Sequence, residues 1–137
     1  MSAPFLLAGI DHVVLLVDGM ERATEFYTSV LGCTVDNDVP EYAMRQLRAG
    51  AALIDLVDIA SPAGAWARPE VAGGRNVDHV ALALGPATPA AVKRHLADHE
   101  VEIVEEAENI GARGKSLSLY IHDPSGNQIE LSFEPAV

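Results

Sequence analysis

Apolar and polar positions along this chain switch between a period of two and a helical period, and the switch happens twice. His12-Val13-Val14-Leu15-Leu16-Val17 is a β-branched-rich run of strand length; Met20, Ala23, Phe26, Tyr27, Val30 and Leu31 then recur at helical spacing until Gly32. Asp18, with Glu21 three residues on, reads as the start of that helix. Three strands are expected to follow, near 33–38, 42–49 and 51–59. The order then returns. Asp78-His79 and a second strand run lead to Thr88 as a helix cap, Pro89 at the first helical position, and Val92 and Leu96 facing inward. Strands near 101–106, 116–122 and 127–133 complete the copy. His12 and His79 stand 67 residues apart in a chain of 137. The pattern therefore predicts an α+β domain, 1–137, built from two βαβββ modules at 9–60 and 76–134. Residues 61–75, rich in Pro, Gly and Ala around Trp66, read as a linker, and in that position could also fold over a cavity as a lid.

Strand parity sorts the side chains. Val13, Leu15 and Val17 are expected on the helix layer, which sends His12, Val14 and Leu16 to the opposite face; the same parity sends His79, Ala81 and Ala83 across in the second copy. The last strand of each module carries an acid between large aliphatics, Asp55 between Ile54 and Leu56, and Glu130 between Ile129 and Leu131. A carboxylate so placed needs a partner. Parity puts both acids on the histidine faces, so two imidazoles and two carboxylates converge if the halves pair as sheets. His12, Asp55, His79 and Glu130 suit one divalent ion of the Zn²⁺, Ni²⁺, Co²⁺, Mn²⁺ or Fe²⁺ group, with positions left open for substrate. A single such His or acid would as readily be a hydrogen-bonded structural residue, but both recur at matched positions. His95 and His99 read instead as a solvated helix face, and His122 as part of the turn before Asp123-Pro124-Ser125-Gly126.

Composition narrows the partners. Nine Lys plus Arg against 20 Asp plus Glu give a net charge of −11, which repels phosphate backbones and anionic lipid heads. Neither nucleic acid nor a membrane is an expected partner. No apolar run approaches the roughly 20 residues that span a bilayer, and the first residues lack the basic start of a signal peptide, so a cytoplasmic location is expected. Cys33, the single cysteine, excludes an intrachain disulfide and reads as a small buried hydrophobe.

Tyr120-Ile121-His122-Asp123-Pro124-Ser125-Gly126-Asn127-Gln128-Ile129-Glu130 resembles the closing signature of the vicinal-oxygen-chelate superfamily, the glyoxalase I, bleomycin-resistance and dioxygenase group. The Asp-His-Val and Glu-Phe-Tyr…Leu-Gly-Cys phrases of the first half fit it too, so the resemblance runs from Ile10 to Phe133. It implies open, curled mixed sheets forming a half-barrel around a metal, with modules pairing within a chain or across a homodimer. Glyoxalase I offers two His and two acids, the arrangement His12, Asp55, His79 and Glu130 match; Asp55 stands where that enzyme normally has Glu, and Leu16 where it commonly has a glutathione-binding Arg. The activity implied is a lactoylglutathione lyase-like isomerase or lyase reaction through a metal-chelated enediolate, with Glu130 or Asp55 moving the proton. Alternatives within the superfamily are an Fe²⁺ extradiol-type dioxygenase on His12, His79 and Glu130, and a non-catalytic binder of a small molecule or antibiotic.

Counting ten residues back from each acid gives Tyr120 and Arg45, which are expected to face the same cavity. Tyr120 could donate to an oxyanion, and Arg45 could clamp a carboxylate or phosphate or simply lie at the surface. Ser118 shares the parity and could orient a polar substrate. Arg113 and Lys115, in the Gly-rich stretch 111–115, are expected either to close on the substrate as a mobile loop or to be solvated. The substrate expected is a small, partly hydrophobic molecule with one anionic end.

Overall fold

A computed structural model describes Leu6 and residues 8–67 and 77–136. Strand β1 (His12–Val17) leads into helix α1 (Met20–Glu25), whose last turn widens into a π-helical turn over Phe26–Val30, and strands β2 (Thr34–Val39), β3 (Met44–Ala49) and β4 (Ala52–Asp58) follow. A 3₁₀ turn, Pro62–Ala67, leaves the first module. Strand β5 (Val80–Ala83), helix α2 (Pro89–Asp98) and strands β6 (Glu105–Gly111), β7 (Gly114–His122) and β8 (Gln128–Ser132) repeat the order. Each module is an open four-stranded mixed sheet, ordered β1-β4-β3-β2 and β5-β8-β7-β6, with the first strand parallel to the last. The α+β class and the duplicated topology are those expected from the hydrophobic pattern.

Alternation along the strands builds one core from both modules. Leu15 and Val17 of β1, Ile54 and Leu56 of β4, Leu119 and Ile121 of β7, and Ile129 and Leu131 of β8 meet Phe26, Tyr27 and Leu96 in a single buried cluster. Each of these residues lies on the helix side of its strand. The modules therefore share their helix layers, and the opposite faces, which carry the candidate ligands, are turned away from the common core. Cys33 is buried at its margin, where burial pushes the thiol up from its ordinary pKa.

The helices start as differently as two caps can. Thr88 Oγ1 accepts from Ala91 N at 3.2 Å and Pro89 opens α2, as expected. Asp18 does not cap α1, whose N-cap is Gly19 without a side-chain cap of its own. Asp58 at the end of β4 performs that task from 38 and 39 residues away: Met20 N donates to Oδ2 at 3.1 Å, and Gly19 N and Ala60 N donate to Oδ1 at 3.0 Å each. Partial burial pushes the Asp58 pKa up, but the three donors outweigh it and hold the carboxyl below its ordinary 3.8. A depressed folded value means stability that is present above the unfolded pKa and lost as pH falls through the folded one. Asp58→Ala should cost about 1–2 kcal/mol at neutral pH. Compared by urea unfolding, the wild type and the variant should approach one another below pH 3.8; a constant difference across that range would contradict the carboxylate cap.

The 3₁₀ turn carries Trp66, whose indole N–H donates to Tyr42 O at 2.9 Å while the two rings meet edge to face at 5.9 Å. This segment thus rests on the β2–β3 connection. The rest of the expected linker, 68–75, lies outside the described residues.

Candidate metal centre

Two His–carboxylate pairs are built, one on each sheet. In the first, β1 runs beside β4 so that Val14 faces Asp55 and His12 faces Leu53. His12 Nε2 reaches to 3.9 Å from Asp55 Oδ2, and its Nδ1 lies 2.7 Å from Asp11 Oδ2. In the second, Ala81 faces Glu130, His79 Nε2 lies 3.0 Å from Glu130 Oε1, and His79 Nδ1 lies 2.7 Å from Asp78 Oδ2. Each imidazole is thus oriented by the aspartate immediately before it, which accepts at Nδ1 and leaves Nε2 aimed at the acid. The hydrogen bond to Asp11, with the charge of Asp55 behind it, raises the His12 pKa; the Asp78 bond raises that of His79, against partial burial and with help from Glu130.

The two acids differ in their company. Glu130 is saturated: Ser118 Oγ donates to Oε2 at 2.8 Å, the Tyr120 hydroxyl also donates, and Asn109 Nδ2 donates in turn to the Tyr120 oxygen at 2.8 Å. Burial pushes Glu130 up, yet these donors and His79 hold it below its ordinary value. Burial, followed by the bond to Glu130 and its charge, pushes the Tyr120 phenol up to about 12, so the hydroxyl stays a donor. Asp55 is only 2 % exposed and has one hydrogen-bond donor, Gln46 Nε2 at 3.2 Å to Oδ2. Its Oδ1 is buried with no hydrogen-bond partner among the described residues. An orphaned buried oxygen on a carboxylate whose other oxygen lies 3.9 Å from an imidazole nitrogen is a donor set that fits a divalent cation.

Among the described residues, no group of three or more His, Cys, Asp or Glu side chains is arranged to hold a metal ion. His12 and Asp55 are joined, and so are His79 and Glu130, but the pairs do not meet within the chain. Tyr120 and Ser118 stand beside Glu130 as expected.

Arg45 does not stand beside Asp55. It faces Leu56 across β4 and lies on the helix side, where its guanidinium bonds Asp38 at 2.7 and 3.3 Å, Thr24 Oγ1 at 3.0 Å and Glu21 at 3.5 Å. Turn length is the cause. Residues 50 and 51 alone join β3 to β4, with Gly50 at φ +62° as a tight hairpin requires, whereas residues 123–127 join β7 to β8. The residue opposite Asp55 is therefore Gln46, nine positions back, while Tyr120 remains ten back from Glu130. Gln46, Asn109, Asp11 and Asp78 were the members of the site that residue counting missed; the two-residue hairpin and the doubled Asp-His phrase were the signals for them.

Arg113 and Lys115 are placed away from the pairs. Gly111 faces Gly114 across a two-residue hairpin, not a long loop, and Arg113 donates to the carbonyls of Leu84 and Ser132 at 2.9 Å each. Lys115 sits on the opposite parity to Tyr120 and pairs with Glu108 at 3.4 Å. His95 does more than face solvent, for its Nε2 lies 2.8 Å from Val30 O and ties α2 to the first module.

Comparison with known proteins agrees with this architecture. The family model described as the Glyoxalase/Bleomycin resistance protein/Dioxygenase superfamily matches residues 9–131. A glyoxalase domain-containing protein of Mycosarcoma maydis is 29% identical over 90% of this chain, which spans 66% of that protein's length. The mitochondrial methylmalonyl-CoA epimerase of Bos taurus is 28% identical over 91% of this chain and 74% of its own. The crystal structure of a virulence protein from Salmonella typhimurium superposes with a TM-score of 0.72 at 29% identity, covering 96% of this chain and 100% of the other.

Proposed function

Because the chain belongs to the Glyoxalase/Bleomycin resistance protein/Dioxygenase superfamily, we propose that it is a divalent-metal-dependent enzyme of glyoxalase I type whose site is shared between two copies. His12 and Asp55 of one copy and His79 and Glu130 of a second would hold one ion. Two observations support the sharing: the helix layers of one chain are already committed to a common core, and its two His–acid pairs do not meet. A two-fold dimer brings each first-module face against a second-module face twice, and closes. Strands β1 and β5, each at an edge of its sheet, would be covered in the same step.

The bound cation supplies Lewis acidity, stabilising negative charge on adjacent substrate oxygens. The chain supplies proton transfer and orientation. Asp55 Oδ1 carries lone pairs that no donor occupies, so it is the carboxylate oxygen placed to take a proton from the carbon next to a carbonyl. Glu130, with its oxygens engaged by Ser118, Tyr120 and His79, is fixed as a ligand. The bovine relative is an epimerase, and epimerisation also moves a proton at carbon.

The pairing of His12 with Asp55, whose Oδ1 is buried without a hydrogen-bond partner among the described residues, is the observation that carries this reading. Protein purified without a histidine tag should contain about one divalent ion per chain and should exchange the α-proton of 2-oxoaldehyde thiol adducts into deuterated water. Tag-free protein that takes up no divalent cation would overturn it.

A further inference from the structure

The register that removes Arg45 from the ligand face puts a different cation there. Leu47 is fully buried in the core and Gln46 bonds Asp55, so Arg48 shares the face of Gln46, Asp55 and His12. Among the described strand residues of the two ligand-bearing faces, it is the only Lys or Arg. It is also loosely held. Arg45 makes three hydrogen bonds within 3.3 Å, two to Asp38 and one to Thr24, and one more to Glu21 at 3.5 Å, whereas Arg48 has Asp36 alone, at 3.4 Å, with the two side chains 45% and 40% exposed. An exposed contact of that length contributes little and leaves most of the five guanidinium N–H donors open.

Arg48 has a fixed relation to the candidate centre. Leu53 faces His12 on one side and Arg48 on the other, so the three form one row across the sheet. Two strand spacings separate the backbones of His12 and Arg48 by about 10 Å. The half-buried Leu53 supplies an apolar floor between them.

We propose that Arg48 anchors a carboxylate on the substrate, and that the substrate is a short acid whose vicinal oxygens are separated from that carboxylate by an apolar spacer lying over Leu53. This assignment rests on the metal-dependent reading above and adds the substrate class to it. In a chain of net charge −11, a solitary guanidinium on the face of the His12–Asp55 pair is the feature that would draw an anionic end into one orientation.

Two oxygen chelators separate the claims: succinic monohydroxamate and its neutral methyl ester, titrated calorimetrically into the full-length protein loaded with Co²⁺. The acid should bind about 10-fold more tightly than the ester, Arg48→Met should bring the two to equal affinity, and Arg45→Met should keep the preference. Equal binding of acid and ester to the wild type, or a preference that survives Arg48→Met, overturns the role of Arg48 while leaving the metal centre standing. Failure of Co²⁺ to alter its visible spectrum on addition of protein, with neither hydroxamate bound, overturns the metal centre and the substrate class with it.

Discussion

Replacing Asp123 with alanine should destabilise the fold by about 3–5 kcal/mol. Asp123 is 4 % exposed and accepts four hydrogen bonds: Ser125 N at 2.9 Å and Asn127 N at 2.8 Å to Oδ1, and the Tyr27 hydroxyl and Asn127 Nδ2, each at 2.8 Å, to Oδ2. Tyr27 belongs to the π-helical turn of the first module, and Asn127 Nδ2 also reaches Leu16 O of β1 at 3.0 Å. Asp18 N donating to Ser125 Oγ at 2.8 Å adds a further tie. The β7–β8 turn is therefore a latch between modules as well as a hairpin. Burial, and then the charge of Asp123, push the Tyr27 phenol far above its ordinary value, which keeps its proton available to the carboxylate. Alanine would leave four donors without their acceptor. Tyr27→Phe removes one bond and should cost about 1–2 kcal/mol. Urea unfolding checks both; an Asp123→Ala loss below that of Tyr27→Phe would show that the latch is not what joins the modules.

The second large effect is on metal affinity. His12→Ala or His79→Ala should each lower divalent-ion affinity by on the order of 100-fold or more, since removing even an outer partner of a ligand costs 10- to 100-fold and a ligand costs more. Neither imidazole belongs to the buried core, so the variants should fold. Competition titration with a chelating dye measures the loss. Retention of wild-type affinity by either variant would remove that histidine from the centre.

Much of this was legible in the sequence because its cause is local. A period of two beside a helical period wrote out both modules, and Thr88-Pro89 marked the start of α2. Strand parity alone puts His12 on the face of Asp55 and His79 on the face of Glu130. What escaped depends on distant or fine geometry. Asp58 caps α1 from the far end of β4, and no local pattern announces a cap supplied 38 residues later. The difference between Gln46 and Arg45 as the neighbour of Asp55 is one residue of hairpin, but a shift of one residue moves a side chain through the sheet. Strand β6 was expected at 101–106 and runs from Glu105 to Gly111: Val101 N is spent on Leu96 O in the return from α2, and pairing with β7 begins only where Val104 N bonds Tyr120 O.

The shared centre has a direct test in subunit complementation. His12→Ala and His79→Ala chains, refolded together, would form mixed dimers in which one site lacks both histidines and the other keeps both. With random pairing, about a quarter of the wild-type high-affinity metal sites should return on mixing, although neither variant alone has any. Mixing that restores no metal binding would show that the four ligands do not come from two copies.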